Sequence, residues 1–359
     1  MKKALRSVRF WITMLIPISI ILTLMAKNIK GFADGYQEYV YKYISVIFNN
    51  ITGIVPFSIG EIIVILFPLS VLGYLIYVIC SAVRSNRKII LNGLFNLLTA
   101  GAVILFLFTT NCGINYYATG VAEKMDIKTE PVSSDELYRV CVYLAERSSE
   151  IRKDMIEDEK GVAVVSENAD ERAKEYVNRL MGSGYSKPKG VMLSRGMSYL
   201  NITGVYFPFT FEANINTDAP SHSIPSTMCH ELAHVNGVMH EEDANFISFL
   251  ACINSGDREF EYSGYMMSMI YVSNALYQTD KTKYYALVEH MSEGVIRDLN
   301  DQSEYWKQFE TPVAEVASSV NDSYLKSNAQ KDGVESYGKM VDLIIGYMRG
   351  DILPRLRFA

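Results

Sequence analysis

Twenty-two residues pass without a charge in IIVILFPLSVLGYLIYVICSAV (62–83), and no other feature restricts the possible fold as much. A helix crosses the hydrocarbon core of a bilayer in about 17–25 residues, and there its backbone groups must be satisfied internally. IILNGLFNLLTAGAVILFLFTT (89–110) is equally long and uncharged, and FWITMLIPISIILTLMA (10–26) is just long enough to cross. Pro17 and Pro68 fall inside these runs, which a membrane tolerates because neighbouring helices take up the freed carbonyls. The runs predict a transmembrane region over 1–115 with three spans, about 10–26, 62–83 and 89–110, whose partner is the lipid bilayer. The first run lacks a small-residue cleavage site and two more follow it. It therefore reads as a retained anchor and not as a signal peptide.

Charge divides the chain at the same place. Up to Ala118 there are ten Lys/Arg and three Asp/Glu, a balance of +7, so the total of −6 leaves −13 for the remainder. A net-negative globular part without a dense basic stripe argues against nucleic acid as a partner. The basic residues also set an expected orientation. Lys2, Lys3, Arg6 and Arg9 precede the first run, and Arg84, Arg87 and Lys88 lie in the turn between the second and third. The loop 27–61 holds only Lys27, Lys30 and Lys42. The positive-inside bias then predicts a multi-pass protein of the cell membrane with a cytoplasmic N-terminus and an extracytoplasmic domain over 116–359. Five cysteines without a CxxC pair suggest neither a disulfide framework nor a thiol zinc knuckle, and nothing in the spacing of Cys229 and Cys252 asks for a bridge.

Beyond Pro131 the pattern becomes amphipathic. Residues 133–160 read as a helix with Ser134 as its N-cap candidate, and 171–184 as a second helix closed by Gly182 and Gly184. The aromatic and β-branched stretch 187–216 suggests strands near 190–194, 203–207 and 211–216. Helical patterns resume from 229 to the end. Helices, a small sheet, then more helices make an α+β domain, mostly helical.

Three of the five histidines fall in CHELAHVNGVMHEEDAN (229–245). Residues four apart share a helix face, so His230 and His234 in HELAH present two imidazoles as adjacent corners for a metal. Glu231 stands next to the pair, placed to take a proton from water and not to bind the cation. Leu232 and Ala233 face the core. A bare HExxH also arises by accident on surface helices, so the third ligand matters. Two patterns compete for it. HELAHVNGVMH matches HExxHxxGxxH, in which Gly237 turns the chain and His240 completes the site. In EEDAN, Glu241 would bind from a following helix, Ala244 would allow close approach, and Asn245 would orient an imidazole. Asp243 is a third, more remote choice.

The chain resembles a bacterial family of membrane-anchored, zincin-like proteins known as domain of unknown function 3810. The stretches that carry the resemblance are PFSIGEII (56–63), GVYFPFTFEANIN (204–216), IPSTMCHELAHVNGVMHEEDANFISFLAC (224–252), YSGYM (262–266) and VNDSYLKSNAQKDGVESYGKMVDLI (320–344). The resemblance implies a zinc peptidase and no particular substrate; with the residues read above, the expectation is a gluzincin-like zinc metalloendopeptidase acting on a peptide or protein, with Glu231 as general base. It favours Glu241 over His240, because members typically carry Glu at the former position and a basic residue at the latter. It also suggests FEANIN (211–216) as the edge strand that pairs with an extended substrate. Tyr262, Tyr265, Tyr324 and Tyr337 become candidates for an oxyanion donor, though packing is the ordinary use of any one tyrosine. His222 and His290 read as structural or surface residues. The rival reading is a membrane sensor or scaffold whose zinc merely staples two helices or whose site is catalytically dead. Glu231 is the residue such a site would not need.

Overall fold

The structure, a computed structural model, describes residues 8–83, 87–328, 330 and 337–351. Lys2, Lys3, Arg6 and Arg84 lie outside the described residues, as do the side chains of Arg87 and Lys88. The chain forms two compact units. One holds Met1–Ala118 together with Phe207–Glu212, and the other holds Thr119–Tyr206 and Ala213–Ala359.

Three helices of the first unit are long and apolar enough to cross a membrane: α1 (Val8–Asn28, with a turn at Met14), α2 (Ile59–Val83) and α3 (Arg87–Asn111). Leu69, Leu72, Ile76 and Ile79 of α2 are all exposed, as side chains meant for lipid would be. Their polar neighbours are satisfied locally. The hydroxyls of Ser70 and Ser81 donate to the carbonyls of Leu66 and Tyr77 four residues back, and Thr99 does the same to Phe95. This is what a low-dielectric surrounding demands of a hydroxyl. The segment 207–212 is tied into this unit. Buried Glu212 accepts from Ile59 N (3.1 Å) and Gly60 N (2.7 Å) at the start of α2, where the orphan N–H groups and the helix dipole favour a carboxylate. Asn49 Nδ2 donates to Phe211 O at 2.6 Å.

The second unit is mostly helical: α4 (Ser134–Arg152), α5 (Ala169–Met181), α6 (Ile224–Val235), α7 (Glu241–Ile253), α8 (Arg258–Thr279), α9 (Glu293–Lys307), α10 (Pro312–Ser327) and α11 (Tyr337–Asp351). The cap of α4 is Ser133, whose side chain accepts from Glu136 N; Ser134 is the first helical residue. The helix stops at Arg152. Beyond it a turn brings β1 (Ile156–Glu157) antiparallel to β2 (Ala163–Val164), where the sequence had suggested helix up to 160. α5 ends at Gly182, which adopts the left-handed conformation as its spacing suggests.

The strand expectations hold at two places and shift at the third. β4 (Gly204–Phe207) and β5 (Glu212–Ile215) fall where the composition puts them. β3 is only Lys189–Gly190, and Ser194–Tyr199 is a short helix. The strand order is β3–β5–β4, with β3 parallel to β5 in the register Lys189↔Asn214. FEANIN is therefore the buried central strand and not an edge; the edges are β3 and β4.

The core of this unit joins α4, α7, α8 and α11 through Val140, Leu144, Phe246, Phe249, Met266 and Ile344, all essentially inaccessible. One buried polar knot sits within it. Asp298 of α9 accepts from Arg152 Nε (2.6 Å), Tyr262 hydroxyl (2.6 Å) and Ala163 N (3.0 Å), which fastens α4, α8 and β2 to α9. A buried guanidinium tolerates its loss of water only because this carboxylate is in contact with it.

Candidate metal centre

The site begins with how α6 ends. Gly237 takes φ 89°, a conformation open to glycine. Its N–H bonds back to His234 O (2.9 Å), and the N–H of Val238 reaches Ala233 O (3.1 Å). That pair of bonds is the Schellman closure, and it turns the chain so that α7 starts at Glu241. Ala244 is fully buried where α7 packs on α6. The glycine of the histidine motif thus serves to bring a second helix back over the first.

The result is a triangle of donors. His230 Nε2 and His234 Nε2 are 3.0 Å apart, His230 Nε2 lies 3.3 Å from Glu241 Oε2, and His234 Nε2 lies 3.6 Å from Glu241 Oε1. Among the described residues this is the group whose ligand atoms converge, all within 4.8 Å of one another. His240, the alternative third ligand, is outside it and stands as the N-cap of α7. Asp243 is also outside, its Oδ2 accepting from Val121 N at 3.2 Å.

Each imidazole is held by its other nitrogen. His234 Nδ1 is 2.7 Å from the carbonyl of Val238, which can only accept, so that nitrogen carries hydrogen. His230 Nδ1 is 2.9 Å from Asn245 Oδ1 and is fixed the same way. Both Nε2 lone pairs then point into the triangle. Two such lone pairs at 3.0 Å repel unless a proton or a cation lies between them.

Without a metal, a proton fills that role. Burial by itself would lower His230, but the bonded Glu241 carboxylate and the nearby Glu231 draw a proton onto it and raise its pKa to about 9. His234 goes the other way, to about 4, because burial and the His230 charge outweigh the pull of Glu241. Burial works to raise Glu241, yet the two imidazoles hold it down at about 2. Two imidazole nitrogens and one carboxylate converge here as a donor set that could hold a metal ion.

Glu231 is different in kind. It is 4% exposed, its Oε2 has no hydrogen-bond partner, and burial pushes its pKa up to about 8 despite the opposing charge of His230 and a backbone bond from Tyr206. A buried carboxyl with one bare oxygen, titrating near neutrality, is suited to carrying protons.

The tyrosines divide. The Tyr262 hydroxyl is committed to Asp298, and Tyr265 packs against Tyr143 and Phe249. Tyr324 is 38% exposed on α10, and the side chain of Tyr337 lies outside the described residues. His222 is buried, its Nε2 2.8 Å from Gln302 Oε1, and His290 lies beside Tyr138 and Glu146. Among the described residues, a tyrosine that does approach the site is one sequence reasoning passed over. The Tyr206 ring on β4 lies 6.5 Å from that of His234, and its N–H bonds Glu231. Its neighbour Gly204 was passed over as well. Only their place in the aromatic strand GVYF pointed to them.

The profile of the family DUF3810, described as protein of unknown function, matches residues 36–345. The chain belongs to the DUF3810 family. The match takes in α2, α3 and both histidine-site helices of this DUF3810 chain, so the family spans the apolar helices and the donor triangle together. Neither a curated protein nor a solved structure matches it.

Proposed function

We propose that this DUF3810 chain is a membrane-anchored zinc metalloendopeptidase. The observation that carries the proposal is the convergence of His230, His234 and Glu241 beside a buried Glu231 whose Oε2 is bare. His230, His234 and Glu241 would hold the ion. A zinc ion with three protein ligands supplies a water acidified toward a pKa of ~7 and a Lewis acid for a carbonyl.

The remaining steps belong to the chain. Asn245 and the Val238 carbonyl keep both rings in the tautomer whose Nε2 can donate a lone pair. Glu231 takes the proton of the attacking water on Oε2 and returns it to the leaving amine. Its burial favours the protonated form, which lets the side chain hold the proton between the two transfers. Strand β4, at the sheet edge, offers the backbone on which an extended peptide can align. The Lys/Arg bias of the sequence supports a cytoplasmic N-terminus with this domain on the outer side.

The alternative, a scaffold with a structural ion, draws less support. A structural zinc is normally closed by four protein ligands, and the converging group among the described residues has three. The test combines metal analysis with a proteolysis screen on the wild-type chain and Glu231→Gln. Unchanged zinc with abolished cleavage is the expected outcome. Cleavage that survives the substitution removes Glu231 from its role, and a chain that takes up no zinc removes the proposal.

A further inference from the structure

The glycine at the head of strand β4 faces the carboxylate of Glu231. A Cβ built on Gly204 would stand 2.6 Å from Glu231 Oε1, 2.7 Å from its Cγ and 2.9 Å from its Cδ. These separations are all shorter than a side chain tolerates. The backbone does not explain the glycine, because Gly204 is not among the residues with positive φ. What requires it is the space taken by Glu231. Two positions on, the N–H of Tyr206 bonds the same carboxylate. Oε2 has no partner, so that bond falls on Oε1. The strand therefore treats the two oxygens differently: one is bound and wedged against backbone, and the other is left bare.

We propose that Gly204 and Tyr206 are positioning residues for Glu231, with β4 forming a wall that holds Oε1 and leaves Oε2 free to carry the proton. This rests on the reading of Glu231 as the general base, but the wall itself is open to test without any substrate. A side chain at 204 displaces Glu231, because the opposing atoms include its Cγ as well as the carboxylate tip and Glu231 is 4% exposed. The three nearest atoms that a Cβ at 204 would meet all belong to Glu231, so the substitution acts first on that side chain and not on the ligands His230, His234 and Glu241.

The experiment is a set of double variants in the full-length chain, followed by thermal unfolding and zinc content. Gly204→Ala alone lowers the melting temperature by roughly 2–12 °C, as overpacking does in a domain of this size. In a Glu231→Ala background, where the opposing side chain is gone, the same substitution lowers it no further. In a Glu231→Gln background, where the shape is kept and the charge lost, the full drop returns. Zinc content is unchanged throughout. With a cleaved peptide in hand, Gly204→Ala reduces kcat by about 100-fold and leaves KM in place, the cost of misplacing a base by about 1 Å. An equal drop in melting temperature in all three backgrounds, or none in the wild type, overturns the proposal. Coupled melting temperatures with no cleavage of any peptide would instead leave the wall intact and count against the peptidase reading.

Discussion

Raising the pH from 7 to 9 should tighten zinc binding by about fiftyfold, because a proton and the cation compete for one nitrogen. His230 holds its proton to about 9, drawn onto it by Glu241 at 3.3 Å, and that Nε2 lone pair is the one a metal needs. Well below 9 each pH unit costs a factor of ten, or roughly 1.36 kcal/mol; at 9 the nitrogen is still half protonated, so the interval from 7 to 9 is worth about 2.3 kcal/mol. The other two ligands do not contribute to this slope, since His234 and Glu241 have given up their protons by about 4 and about 2. The assay is a calorimetric zinc titration of the full chain in detergent, repeated in buffers of different ionisation heat. At pH 7 the heats should report a proton released from His230 for each zinc bound. The Glu231→Gln chain, which lacks the second acid titrating in this range, should release that proton too. An affinity that stays flat between pH 7 and 9, or zinc uptake without proton release, refutes the assignment of His230 as the proton holder.

Three further outcomes follow from the same structure. In the metal-free chain the folded pKa of His230, about 9, lies above the ordinary value of 6.5, so its stabilising contribution is complete below pH 6.5 and lost as the pH climbs to 9. Unfolding free energy in chelator should fall over that interval by on the order of 3 kcal/mol, read as a lower melting temperature, and zinc should abolish the fall. Asn245→Ala frees the His230 ring, held at 2.9 Å, and should weaken zinc binding by about 10–100-fold with little change in melting temperature, read by competition with a chelating dye. Asp298→Ala strands the buried Arg152 guanidinium and the Tyr262 hydroxyl. It should cost about 3–5 kcal/mol, or roughly 6–20 °C by calorimetry, while zinc stoichiometry in the folded fraction is kept.

Much of the site could be read in the chain because helical spacing is local. His230 and His234 had to share a face once 224–235 was a helix, and Gly237 had to be a stopping point. Spacing alone left Glu241 and His240 both open, and only the family resemblance favoured Glu241, since the choice depends on where the chain heads after the turn. The Schellman closure at Gly237 brings Glu241, not His240, back over the imidazoles. The strand error has a related cause. FEANIN has the composition of a strand, but composition does not say which neighbours it has, and its place between β3 and β4 comes from a parallel pairing with distant Lys189–Gly190. Helix α4 was drawn too long because Asp154 to Lys160 is polar enough to continue a surface helix. The chain turns there into a two-stranded ladder beside Asp298, a partner 135 residues on from Ala163.

The sequence by itself determined the apolar helices, the pair of imidazoles four residues apart and the acid beside them, because each depends on hydropathy or period within about one helix. Only the tertiary structure decided which carboxylate closes the triangle, that Tyr262 serves Asp298, and that Gly204 faces Glu231. These are contacts between segments remote in the chain, set by packing and by the need of every buried polar group for a partner, and no local pattern encodes them.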